Sequence, residues 1–367
     1  MTGRLKTFVL NLVAGANVLT ALLMVAVGYS DRVPPADHAW LACAGMTFPF
    51  FLAVNLAFLL FWVFFSWKRL LIPVAGFALA YVPIRIYMPL HFDEQPVTDN
   101  TLHVVSYNVA GYGGNFKYEE AFDSILAYLI NEKADIVCLQ EDMTSKWKNT
   151  KEVFARHFKY NDTVRVSSPA YSGLNCLGLH TRFPIVGKER IDYQSLTNGS
   201  VAYLLKLDSG DTLLLINNHL EGTHLSSSDR KRYQKMIKGH MERDTAKAET
   251  QMLVDKLASA MMRREQQVKA VKQYISRHSQ YPVLVCGDFN DTSISYTRHA
   301  MAKGLTDCFV ESGCGLGLSF NQHGFNFRID HMMCSRDITP LQCKIDTKID
   351  VSDHYPMLCW LKMAEKP

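Results

Sequence analysis

Apolar residues crowd the first ninety positions of the chain. Residues 8–29 and 40–65 are each uncharged and mostly apolar, or nearly so, and long enough to cross the hydrocarbon core of a bilayer as a helix. No Lys, Arg, Asp or Glu stands between Asp37 and Lys68. Trp67, Lys68 and Arg69 close the second run, an aromatic and two cations at interface depth. A third run, residues 70–88, contains Pro73, Pro83 and Arg85, and its uncharged part ends at Ile84. The pattern then changes. Residues 89–100 (PLHFDEQPVTDN) hold two prolines, turn formers and acidic groups, which predicts a linker. Beyond it, short apolar runs at 102–107, 135–139, 213–216 and 283–285 read as strands. Residues 118–130 have helical spacing. So do residues 245–278, where Leu253, Leu257, Met261, Val268, Val271 and Ile275 recur on one face. Strands interleaved with helices predict an α/β domain built around sheets.

The expected organisation is an N-terminal transmembrane anchor at 1–90, a linker at 91–100 and a catalytic domain at 101–367. A cleaved signal peptide would also explain the first run, but the second would leave the chain membrane-bound regardless. Arg4 and Lys6 precede the first crossing, and Lys68 and Arg69 follow the second. The positive-inside rule puts both cationic ends in the cytoplasm of a cell or inner membrane. With the third run also crossing, the favoured reading, the soluble domain lies outside the cytoplasm. With it lying in the interface, the domain lies inside.

Composition changes this picture little. The chain of 367 residues is 48% hydrophobic and 20% charged, with a net charge of +4, a weak argument for nucleic acid. The charge is uneven: residues 225–280 hold 13 Lys or Arg against 6 Asp or Glu. The basic run at 230–238 (RKRYQKMIK) suits an anionic lipid surface, a nucleic-acid backbone or plain solvent. Nine cysteines without a C-x-x-C pair exclude a zinc ribbon or thioredoxin-type motif. Cys138, Cys286 and Cys359 sit in apolar runs and read as buried strand residues. Cys308, Cys314 and Cys343 have more polar neighbours and are open to pairing.

Six short motifs carry the chemistry, in order, each at or near a predicted strand end. They are SYNVAG with Asn108, CLQED with Glu141, INNHLEG with His219, CGDFND with Asp288 and Asn290, FRIDHM with Asp330, and VSDHYP with Asp353 and His354. Each alone is more often a turn or a strand-end charge than a site. Together they offer hard carboxylate oxygens, neutral amides and two histidines that titrate near neutrality. Such oxygen-rich sites suit Mg²⁺ or Mn²⁺ better than zinc, and phosphoester hydrolysis uses this combination.

The set resembles the endonuclease/exonuclease/phosphatase superfamily, which includes pancreatic-type deoxyribonuclease and neutral sphingomyelinases. The resemblance spans residues 101–361 and implies a four-layered α/β sandwich, two mixed β-sheets packed together with helices outside. It also implies roles. Glu141, supported by Asn108, matches the principal metal ligand, and Asp353 a second metal-site carboxylate. Asp288 and Asn290 match the pair that orients the nucleophile and contacts the scissile phosphate. Asp330 and His354 match a pair in which the carboxylate fixes the imidazole tautomer, with His354 as general base or transition-state stabiliser. His219 matches a histidine that contacts the phosphate or protonates the leaving oxygen. His331 reads as a packing residue, Arg182 as structural, and either Asn217 or Asn218 could face the pocket. His103, His180, His224 and His240 have no motif.

The resemblance gives chemistry rather than substrate. A membrane tether favours a lipid headgroup or small phosphoester, with the bilayer itself as partner. A non-specific nuclease of the same fold is the alternative. An inactive membrane scaffold is less favoured, because the site residues are intact.

Overall fold

The computed structural model describes residues 3–93, 95–98, 100–113, 118–142, 150–170, 175–223, 232, 243–322 and 325–364. Within these, the soluble part contains two six-stranded sheets. The first has the order β13-β14-β1-β2-β4-β3, built from β1 (Thr101–Asn108), β2 (Ile136–Gln140), β3 (Tyr160–Arg165), β4 (Cys176–Thr181), β13 (Ile338–Ile345) and β14 (Met357–Met363). The second has the order β5-β6-β7-β8-β12-β9, from β5 (Ile185–Ile191), β6 (Gly199–Lys206), β7 (Thr212–His219), β8 (Val283–Asp288), β9 (Thr306–Asp307) and β12 (Asp330–Cys334). A small hairpin joins β10 (Phe320–Gln322) to β11 (Phe325–Phe327). Both large sheets are mixed: β1 and β2 pair in parallel, as do β7 and β8, and the other pairs are antiparallel.

Strand alternation explains the layers, because successive side chains point to opposite faces. Leu102, Val104, Ile136 and Cys138 face inward and meet Tyr203, Leu205, Leu213, Leu215 and Leu284 between the sheets. Val105, Tyr107, Val137 and Leu139 face outward, where Phe122, Ile125 and Leu129 of helix Tyr118–Glu132 cover them. On the far side Leu214, Ile216, Val283 and Val285 receive Val268 and Val271 of the long helix Arg243–Arg277. Strands buried on both faces read as continuous apolar runs, as these do. The result is the predicted four-layered α/β sandwich.

The cysteines differ from one expectation. Cys308 and Cys343, open to pairing by their polar neighbours, are buried in the inter-sheet core; all nine cysteines are free, and Cys314 is exposed. Asp307, the polar neighbour of Cys308, is itself buried and paired with Arg298. Arg182 pairs with Asp135 and Asp208 at the surface, a structural role. His224, His240 and most of the basic run lie outside the described residues.

In the N-terminal part, α1 (Gly3–Gly28) and α3 (Phe48–Phe65) belong to two segments long and apolar enough to cross a membrane. Phe8, Leu12, Leu60 and Phe64 stand exposed on them, as lipid-facing residues would. Between them lies α2 (Pro35–Ala44). The third run forms α4 (Leu71–Leu79) and α5 (Tyr81–Tyr87), in a helix pair bent by 65°. Pro83 has no N–H to offer the Leu79 carbonyl, and the Tyr29 hydroxyl donates to that carbonyl instead at 3.0 Å. Asn17, Asn55 and Trp62 bond one another between α1 and α3 (Asn17 Nδ2 to Asn55 Oδ1, 3.1 Å; Trp62 Nε1 to Asn17 Oδ1, 2.9 Å). Buried side chains of this kind hold helices together where lipid gives no hydrophobic drive.

The linker runs back along the sandwich. Gly315 N bonds the Pro89 carbonyl at 2.8 Å, Leu90 bridges to Cys314, and Gln342 of β13 donates to the Gln95 carbonyl at 2.7 Å. β1 therefore starts at the edge away from the N-terminal helices and carries Asn108 back toward them.

Candidate active site

Six motif residues gather at one edge of the sandwich. Asn108, His219 and Asp288 are the last residues of β1, β7 and β8, and Glu141 follows β2 directly. Asp330 opens β12, which runs antiparallel to β8 and pairs Asp330 with Asp288. His354 arrives on the loop before β14 and bridges to Phe320. Parallel pairing of β1 with β2 and of β7 with β8 brings their C-terminal ends together, the position where open α/β sheets place ligands.

Asp288 is the hub. Its Oδ2 accepts from Asn108 Nδ2 at 3.0 Å and lies 3.5 Å from His219 Nε2 and 3.7 Å from His354 Nε2. Its Oδ1 accepts from the backbone N of Asn290 at 2.7 Å. Glu141 Oε1 sits 3.4 Å from the same Asn108 amide and 3.9 Å from His219 Nε2. Its side chain keeps 35% of its surface exposed, while Asp288 and Asp330 are only 1% exposed. His354 Nδ1 is 2.8 Å from Asp330 Oδ2. Burial alone would lower the His354 pKa, but the carboxylates of Asp330, Asp288 and Asp353 outweigh it and push it up to about 10. Asp353 is half-buried next to His354, and its carbonyl accepts from Asn321 N at 2.9 Å. Asn290 Nδ2 is committed to the Leu220 carbonyl at 2.9 Å.

The backbone at this edge is strained where the chemistry is. Glu141 (φ 54°) and Asn290 (φ 52°) are both left-handed, which costs a non-glycine residue about 1–2 kcal/mol. In both cases the turn re-aims the chain at a strand end. Gly287 (φ 127°) serves Asp288 differently: a Cβ there would lie 2.0 Å from the Asn218 carbonyl oxygen, so only glycine permits β7 and β8 to close beside the site.

Two questions from the sequence are answered. Neither Asn217 nor Asn218 contacts the carboxylate cluster. Asn217 accepts from Gln140 Nε2 (2.7 Å) and donates to the carbonyls of Leu139 (3.1 Å) and Gly178 (3.0 Å), tying the two sheets together beneath the site. Asn218 bonds the Ile216 and Cys286 carbonyls and accepts from Ser200. His331 packs on Phe289 and reaches the Asp291 carbonyl at 3.1 Å, a packing role.

Sequence reasoning missed the residues that hold the catalytic loops. Arg264, 1% exposed on the long helix, donates to Asp291 Oδ2 at 3.1 Å and to the Glu221 carbonyl at 2.8 Å. It joins the loop after Asp288 to the loop after His219. Gln267, one turn on, accepts from Glu221 N at 2.8 Å. Asn175 Nδ2 lies 3.2 Å from His219 Nδ1. The available signal was the polar pair Arg264 and Gln267 at three-residue spacing on a helix face otherwise apolar; Asn175 gave none.

The arrangement calls for a cation. Four carboxylates (Glu141, Asp288, Asp330 and Asp353) share the site, and among the described residues none of them pairs with a Lys or Arg. Asp330 Oδ1 is buried without a hydrogen-bond partner. A hard divalent ion fits this donor set of carboxylates and amide. Asn108 presents Nδ2 to the carboxylates while its Oδ1 accepts from Ala110 N at 3.0 Å, so ligation through oxygen needs the amide turned over. Asp288, Asp330 and His354 also place ligand atoms within 4.8 Å of one another.

A sequence model described as the Endonuclease/Exonuclease/phosphatase family matches residues 105–354, the stretch that holds all six motifs. The chain belongs to this family. Its members hydrolyse phosphoesters and generally use a divalent metal, and the sandwich seen here is the family fold. Residues 10–87 match a second model, described as "Domain of unknown function (DUF8431)". No curated protein matches the sequence. Among solved structures, the human Nocturnin catalytic domain with bound sulfate anion is similar at 16% identity and a TM-score of 0.53, covering 73% of this chain and 97% of that one. Family proteins from Bacteroides thetaiotaomicron (18% identity, TM-score 0.50, 74% and 100% covered) and Bacteroides vulgatus (13%, 0.51, 72% and 99%) are also similar. At these identities the likeness shows the shared fold.

Proposed function

We propose that the chain is a divalent-metal-dependent phosphoesterase held on a membrane by three N-terminal spans, with its active site outside the cytoplasm. The observation that carries the chemistry is the convergence of His219, His354 and Asn108 on one buried carboxylate, Asp288. Glu141, Asn108 beside it and Asp353 beside His354 are the residues that would hold Mg²⁺ or Mn²⁺. Bound there, the ion would supply charge neutralisation at the phosphoryl oxygens.

The protein groups have separable tasks. Asp288, with Oδ1 fixed by Asn290 N, turns Oδ2 into the pocket, where it orients the attacking water and takes its proton. His354, anchored through Nδ1 by Asp330 and held protonated by the surrounding carboxylates, offers Nε2–H to a phosphoryl oxygen. With Asn175 Nδ2 donating to Nδ1 of His219, the ring turns an Nε2–H toward the pocket. There it donates a hydrogen bond to the leaving oxygen as the P–O bond breaks, and the departing oxygen takes its proton from solvent.

The helix directions support the topology. Asn17 meets Asn55 and Gly28 meets Phe48, so α1 and α3 run antiparallel. Gly76 meets Ala21 and Gly28 meets Pro83, so the α4–α5 pair runs parallel to α1. Three crossings then leave Arg4, Lys6, Lys68 and Arg69 on one face and the soluble domain on the other, which the positive-inside rule makes the outside.

The test is hydrolysis of bis-p-nitrophenyl phosphate and p-nitrophenyl phosphate by the full chain in detergent micelles, beside Asp288→Asn. The reading expects p-nitrophenol release from at least one ester, reduced by at least two orders of magnitude in the variant. Equal rates for both proteins would sink the assignment. A reporter fused after Pro367 should be active only outside the cytoplasm; cytoplasmic activity would refute the third crossing.

A further inference from the structure

The active-site edge of the sandwich is also the edge that rests on the membrane anchor. The loop that carries Asn290 continues to Ile294, whose carbonyl oxygen packs so closely on Gly45 that a Cβ there would lie 2.2 Å away. Gly45 is three residues before α3 begins. On the other side of the site, Arg328, two residues before Asp330, is buried and donates to the Ile86, Tyr87 and Leu316 carbonyls. Ile86 and Tyr87 end the last helix of the anchor. A third contact joins the long helix: Ala36 N donates to Glu265 Oε2 at 2.9 Å, next to the Arg264 that holds both catalytic loops. Met24, Phe48, Leu52, Ala80 and Ile86 of the anchor form one apolar cluster with Ile294 and Val310 of the soluble domain.

These contacts set a distance. Asn290 and Ile294 are four residues apart, so at full extension the chain places them at most about 14 Å apart, and Asp330 lies about 7 Å from Arg328 by the same rule. The headgroup region of each leaflet is roughly 5–7 Å deep. Tied this closely to the ends of two spans, the site stands within about 14 Å of its contacts with them, close over the headgroup layer rather than far out in solution. Two exposed leucines belong to the same loops: Leu196, two residues from an Asn198 that donates to the Leu220 carbonyl, is 52% exposed, and Leu316, which accepts from Arg328, is 38% exposed.

We propose that this site takes its phosphoester from the bilayer that holds the protein: the headgroup of an amphiphilic lipid whose tails stay in the membrane. The proposal rests on the hydrolase reading above and names its substrate class. A tethered enzyme with its mouth at the headgroup layer meets such esters at high local concentration, as an intramolecular encounter does. A water-soluble ester of the same headgroup lacks that advantage.

The experiment uses the full chain in vesicles of a phosphorus-free galactolipid with Mg²⁺. One arm contains phosphatidic acid or sphingomyelin at several surface fractions, diluted with that galactolipid at constant bulk concentration. The other arms supply glycerol 3-phosphate and glycerophosphocholine as soluble counterparts, plasmid DNA, and bis-p-nitrophenyl phosphate as a generic ester. The expected result is at least tenfold higher kcat/KM for a bilayer-held ester than for its soluble counterpart, with the rate falling as the surface fraction falls. Equal or better use of the soluble ester, or cleavage of plasmid without cleavage of lipid, would overturn the proposal and leave the hydrolase reading standing. No metal-dependent hydrolysis of any arm, the generic ester included, would overturn both. An activity-independent measurement uses the exposed Cys314, whose neighbour Leu316 accepts from Arg328. A fluorophore on Cys314 should be quenched by lipids spin-labelled near the headgroup; no quenching would place the mouth clear of the bilayer and overturn the proposal.

Discussion

Replacing Asp330 by Asn removes one negative charge and almost nothing else. The carboxylate is buried, accepts nothing at Oδ1 and holds His354 Nδ1 through Oδ2 at 2.8 Å. A hydrogen bond to a charged group is worth about 1.5–3 kcal/mol. Losing it from the reacting state slows turnover by about 10- to 100-fold, since each 1.36 kcal/mol is a factor of ten. Nothing pins the new amide, because Oδ1 has no partner. Where the amide nitrogen turns toward Nδ1, the imidazole gives up the proton there and with it its positive charge, and the loss approaches the roughly 10⁴-fold seen when an amide replaces a triad carboxylate. The variant should therefore lose between about 10 and 10⁴ in kcat, with KM changed only a few-fold. The assay is initial-rate hydrolysis of bis-p-nitrophenyl phosphate by the full chain across pH 5 to 10. Asp330 raises the His354 pKa, so the alkaline limb of the profile should move to lower pH in the variant. A kcat within threefold of the parent, or an unmoved alkaline limb, would refute the coupling between these two residues.

Other outcomes follow from buried groups. Arg264→Met leaves Asp291 buried without its guanidinium partner, which should cost about 3–5 kcal/mol of stability; a loss below 1 kcal/mol in denaturant unfolding would show that Arg264 does not hold the loops. His180 and His103 are buried against Phe154 and Trp360, and burial lowers their pKa values to about 3 and about 4. Both folded values lie below the unfolded one, so their stabilising effect is complete above about pH 6.5 and is lost as pH falls toward 4 and 3. Each should cost about 2 kcal/mol at pH 5 relative to pH 7. Thermal unfolding that is unchanged or later at pH 5 would contradict this.

Much of the soluble domain was legible because buried strands in an α/β sandwich are apolar on both faces and end in polar residues. The runs around Val104, Val137, Leu215 and Leu284 mark the sheet core, and the polar residue that ends or follows each is a site residue: Asn108, Glu141, His219 and Asp288. Asp330 breaks this pattern by opening its strand, and only antiparallel pairing with β8 brings it to the site. What local sequence could not carry is contact between distant segments. Arg264 reads as one more cation on a solvated helix until the fold buries it between two catalytic loops. Likewise two of the three carbonyls that Arg328 donates to lie more than two hundred residues earlier. The bend between Leu79 and Tyr81 was signalled by Pro83, but the Tyr29 hydroxyl that completes it was not. Cys308 and Cys343 misled because polar neighbours do not mark exposure: Asp307 beside Cys308 is buried against Arg298, and Lys344 beside Cys343 alternates to the other face of its strand.

The central claim is that Glu141, with Asn108 and Asp353, holds a divalent ion that phosphoester hydrolysis requires. The measurement that tests it most directly is the Mg²⁺ dependence of bis-p-nitrophenyl phosphate hydrolysis by the full chain and by Glu141→Ala, each before and after EDTA. The account predicts hydrolysis by the parent that EDTA abolishes and Mg²⁺ restores. It also predicts a loss of about two orders of magnitude or more in the variant at matched Mg²⁺, with thermal unfolding little changed, as the removal of several kcal/mol of charge stabilisation requires. Hydrolysis by the parent that survives EDTA, or a variant as active as the parent, would contradict it.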